Sequence, residues 1–100
     1  MNASVMLAEQ HVREWDAHLR HLDETWERAR SAPVIPPELD AQLLQIRQDR
    51  DAIARVLEDL RHEPFDTWPR QARHASGLTA MFETVGSELE KVVTALLVRP

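Results

Sequence analysis

Three long helices folded up, down and up into an antiparallel bundle are the architecture that this sequence predicts. Apolar residues recur at alternating steps of three and four through three long segments, and two short links, each carrying proline, interrupt them. No β-hairpin signal, glycine-rich phosphate loop or low-complexity tract competes with that pattern. Residues 1–100 are therefore read as one all-α domain, with helices at about 4–30, 37–62 and 68–98.

In the first segment the stripe is Val5, Ala8, Val12, Trp15, Leu19, Leu22, Trp26 and Ala29. The second opens at Pro36 and Pro37, where proline in a first helical turn costs little, and Glu38 and Asp40 suit the positive end of the helix dipole. Its stripe is Leu39, Leu43, Ile46, Ile53, Leu57 and Leu60, ending before Pro64. The third opens after the turn Asp66, Thr67, Trp68, Pro69 and carries Leu78, Phe82, Val85, Leu89, Val92 and Leu96, weakened locally by Gly77 and Gly86. The short links favour antiparallel neighbours, and helices of this length make a rod roughly 40 Å long.

Composition sets the outer limits. One hundred residues suffice for a single core, and an apolar content of 43% with 29% charged residues is ordinary for a globular chain. The absence of cysteine leaves no disulfide framework and suits a reducing compartment, so a cytoplasmic location is expected. The first residues lack a basic start followed by an apolar run, and no stretch approaches the roughly 18 apolar residues of a spanning helix. A net charge of −5, with arginines alternating among carboxylates, argues against nucleic acid as a partner.

Residues that break the stripes are the candidates for function. Arg50 occupies the centre of the second stripe, so its guanidinium must be paired or its stem must bend outward; Glu83 and Glu88 on the third helix are candidate partners. His11, Glu14, His18 and His21 fall at steps of three and four along one flank of the first helix. Antiparallel packing is expected to bring Glu58, Asp59, His62 and His74 near the level of His11. Bundle metal sites are built from such positions, so His11, Glu14, His18 and His74 form a minority divalent-metal hypothesis, weakened by the lack of a matched Glu-x-x-His pair. No resident cofactor is otherwise expected.

Arg13 and His18, separated by four residues, resemble in spacing the motif of the HEPN-type helical ribonucleases, which implies RNA-cleavage chemistry at that pair. The resemblance spans six residues. Glu14 follows the arginine where that family commonly has a neutral polar residue, and the pair lies on the first helix instead of late in the bundle. A histidine phosphotransfer domain fits less well, since no histidine has small and basic residues around it and only three helices are present.

Trp15 and Trp26 lie on the first stripe and read as core anchors. Trp68, beside Phe65, either caps the end of the bundle or offers an aromatic anchor to another protein. The third helix has an unusually wide apolar arc that includes Val93 and Leu97, while Leu44 lies about 160° from Ile46 on the second. Val34 and Ile35 add apolar surface in a loop. The expected function is accordingly that of an interaction or structural and regulatory module, not an enzyme, self-associating as a homodimer through Leu44, Trp68, Val93 and Leu97, with a protein partner as a further possibility. The rival class is a metal-binding or catalytic bundle built on His11, Glu14 and His18 with His62 and His74.

Overall fold

The computed structural model describes residues 3–73 and 75–97. Helix α1 covers Ala3–Arg30 and α2 covers Pro37–Arg61; a 3-10 turn at Phe65–Thr67 leads to the single-turn α3, Arg70–Arg73, and then to α4, Ala75–Leu97. All three pairs of long helices pack on one another, and the described residues contain no strand, so the chain is an all-α three-helix bundle.

Local chemistry explains each boundary. The α1 helix stops where the Ser31 hydroxyl donates to the Arg28 carbonyl at 2.6 Å and Pro33 follows, with Arg28 and Arg30 placed against the negative end of the dipole. In α2, Pro37 stands in the first turn, and the amides of Leu39 and Asp40 donate to the Pro36 carbonyl at 3.0 and 2.9 Å. The third helical segment departs from expectation, because Trp68 is not helical. It precedes Pro69, whose ring disfavours the α region for the residue before it, and its backbone is extended at φ −62° and ψ 144°. Helix resumes only once the Ala72 and Arg73 amides reach the Pro69 carbonyl.

The apolar stripes become the core. Every residue of the second stripe is buried, as are Leu78, Phe82, Val85, Leu89 and Val92 of the third, whereas Leu96 is half-buried. On α1, Trp15, Leu22 and Ala29 are buried, while Ala8, Val12, Leu19 and Trp26 pack against the core from its edge. The side chain of Val5 lies outside those described.

Cross-helix contacts set the register. Arg30 pairs with Asp40, the Trp26 indole N–H donates to the Leu43 carbonyl at 3.0 Å, Arg50 meets Asp23, and Arg61 pairs with Asp16. This ladder places the end of α2 beside Asp16, so the first half of α1 runs on past it. Helix α4 runs parallel to α1: the His18 and Phe82 rings lie 5.4 Å apart, and a Cβ added at Gly86 would meet Leu22 Cδ2 at an ordinary 3.8 Å. Both pairs share one offset, which carries Leu97 beyond the level of Arg30. That stagger contributes to a rod of 57 × 18 × 17 Å, longer than the roughly 40 Å expected from unstaggered helices.

Arg50 is paired within the bundle, though not with Glu83 or Glu88. Its Nε and Nη2 donate to the two oxygens of Asp23 at 2.7 and 2.8 Å, and its Nη1 donates to Asp51 at 3.1 Å. The Asp23 hydrogen bonds raise its pKa above the ordinary arginine range despite partial burial. Asp23 of α1, and not a carboxylate of α4, is the partner because this edge of α2 faces α1.

Candidate functional site

The overhang of α1 creates a concavity at one end of the bundle. Past the end of α2, one side of α1 is covered by the chain reversal that contains Pro64, Phe65 and Trp68. The Trp68 indole N–H donates to the carbonyls of Leu60 and Glu63, both at 3.1 Å, and its ring packs against Trp15 at 5.8 Å and Phe65 at 5.1 Å. Those bonds fold the reversal back onto the bundle end. Between it and α1 lies an open cleft of about 460 Å³, floored by Ala8, Val12, Leu60, Pro64, Phe65 and Trp68. Charges of both signs rim it: Glu9, Arg13, Asp16, Arg61 and Glu63. An apolar floor with a polar rim suits the apolar side of another molecule, with the rim charges selecting its orientation.

The expected interface residues divide into two pairs. Leu44 and Leu97 are exposed, at 60% and 67%. Trp68 and Val93 are buried at 3% and 7%, which corrects their placement as surface anchors. Val93 falls on the inner part of the wide α4 arc, which is wide because that helix serves two neighbours. Trp68 caps the bundle and contributes only the bottom of the cleft.

The histidine flank does not converge. His11 is buried and stacks on Trp15, with ring centroids 5.3 Å apart and planes at 17°. Glu14 is exposed and accepts a bond from Gln10 at 3.3 Å, and His18 lies against Phe82. His62 is exposed and pairs with Glu58, Nε2 to Oε1 at 3.0 Å. It also misses the level of His11, because α2 ends beside Asp16, some five residues or about 7.5 Å further along α1. Among the described residues no group of three or more His, Asp or Glu side chains is placed to hold a metal ion. His74 lies outside the described residues. Arg13 and His18 are also apart in their surroundings, one at the cleft rim and the other against α4, so the ribonuclease-like spacing does not assemble a shared site.

His11 carries an unexpected feature. Its Nδ1 is buried and has no hydrogen-bond partner among the described residues, whereas Thr25, the other buried polar side chain described, donates to the His21 carbonyl at 2.9 Å. An unsatisfied buried polar atom costs about 1 to 3 kcal/mol. His11→Phe keeps a ring on Trp15 and removes that atom, so it should stabilise the fold by about 1 kcal/mol, a rise of roughly 4 to 8 °C in melting temperature. A lower melting temperature would show that the imidazole makes a bond the aromatic ring cannot replace.

Among known proteins, no family model, curated protein or solved structure matches this chain. No helix among the described residues is long and apolar enough to cross a membrane.

Proposed function

We propose that this chain is a protein-interaction module that assembles as a homodimer. The supporting observation is large apolar surface at both ends of one bundle. Val34, 76% exposed, and Leu97 share the end where the α1–α2 link meets the last turn of α4. Met6, 54% exposed, and Leu7 share the opposite end with the cleft. Single exposed leucines are common on any protein surface, but Met6 and Leu7 border one surface with Glu9, Gln10 and Arg13, and Glu9 and Arg13 also rim the cleft, which supports a place where another surface fits. Twofold self-association is the commonest way to cover such a surface.

Sedimentation equilibrium of the purified chain at micromolar concentration tests the reading. The expected species has twice the 11.5 kDa chain mass. A species of single-chain mass across that concentration range would overturn it. Glutamate placed singly at Leu44, Leu97 or Met6 then maps the buried surface, since a desolvated carboxylate opposes association only where the interface forms.

A further inference from the structure

Met6, Glu9, Gln10 and Arg13 form an exposed face of α1, and the charges on that face are self-complementary. Glu9 and Arg13 are both exposed, and neither enters an ion pair among the described residues, even with the other one helical turn away. Both line the cleft, and both also border the shallow surface formed with Met6, Leu7 and Gln10. Asp16, by contrast, is already held by Arg61.

We propose that two copies of this chain pair through this half of α1, antiparallel about a twofold axis passing beside residue 11. This inference rests on the self-association proposed above and names its surface. In an antiparallel helix pair, residues equally distant from the axis on opposite sides stand at the same level. Glu9 therefore meets Arg13 of the second copy, and the same axis generates the reciprocal pair. One dyad thus satisfies two unpaired charges in each chain, beside the exposed Met6. A parallel pairing instead sets Glu9 beside Glu9 and Arg13 beside Arg13.

Charge reversal separates this surface from any other. Glu9→Arg and Arg13→Glu change only exposed side chains, and an unaltered circular dichroism spectrum checks that each variant folds. Each variant alone places like charges opposite each other twice, so its dimer should weaken by at least about tenfold, and added salt should narrow the difference. An equimolar mixture of the two variants restores both opposite-sign pairs, so heterodimers should form with close to the wild-type dissociation constant. If the wild-type chain dimerises and both variants dimerise as tightly as it does, the α1 surface is wrong while self-association stands. Weakening by both variants without recovery in the mixture overturns the antiparallel pairing. A monomeric wild-type chain removes both proposals together.

Discussion

Trp68→Ala should lower the stability of the fold by about 3 to 5 kcal/mol, the range for truncating a large buried aromatic side chain. Two losses coincide at this position. The indole fills the end of the core against Trp15 and Phe65, and its N–H holds the carbonyls of Leu60 and Glu63. A domain of this size has a total stability on the order of 5 to 15 kcal/mol, so the variant should melt at least about 12 °C lower. Trp68→Phe separates packing from hydrogen bonding, because it keeps a ring and loses the donor; a cost near 1 kcal/mol is expected for that change. If the alanine variant melts as the wild type does, the chain reversal is not part of the cooperative fold, and the cleft it builds is not a fixed feature.

Phe82→Ala carries the second large effect, again about 3 to 5 kcal/mol, because the ring is buried between α4 and α1 and lies against His18. Leu19 is the control. It belongs to the same predicted set of stripe residues, yet it is only half-buried, so Leu19→Ala should cost clearly less than truncation of Phe82. Urea denaturation of the two variants side by side measures the contrast. Equal costs would mean that Leu19 is as deeply packed as the stripe alone implied, and that the rotation of α1 differs from the one described.

Much of this could be read along the chain. The three helices, their apolar faces and the proline-marked start of α2 follow from periodicity and from backbone chemistry that acts within a few residues, and the six stripe residues of α2 are all buried. The turn at Asp66, Thr67, Trp68, Pro69 was legible as well, and only the boundary near 68 was early, because Pro69 keeps Trp68 extended and helix resumes at Arg70. The wide arc of α4 was legible too, though its cause was misread for Val93. Width can reflect two neighbours within the bundle or one outside it, and a helical wheel carries no information about which.

By itself, then, the sequence determined the class of fold, the number of long helices and which face of each turns inward, since those depend on spacing within a single helix. The tertiary structure alone decided what stands opposite what. Arg50 meets Asp23, across 27 positions of chain, and not the α4 carboxylates; His62 falls short of His11; and α1 runs past the end of α2 to open the cleft. Each of these depends on axial register. A shift of one helical turn preserves every apolar stripe while changing every cross-helix partner, and the choice among such registers is made by the ladder of ion pairs, the Trp26 and Trp68 indole bonds and the fit of large side chains at the helix ends.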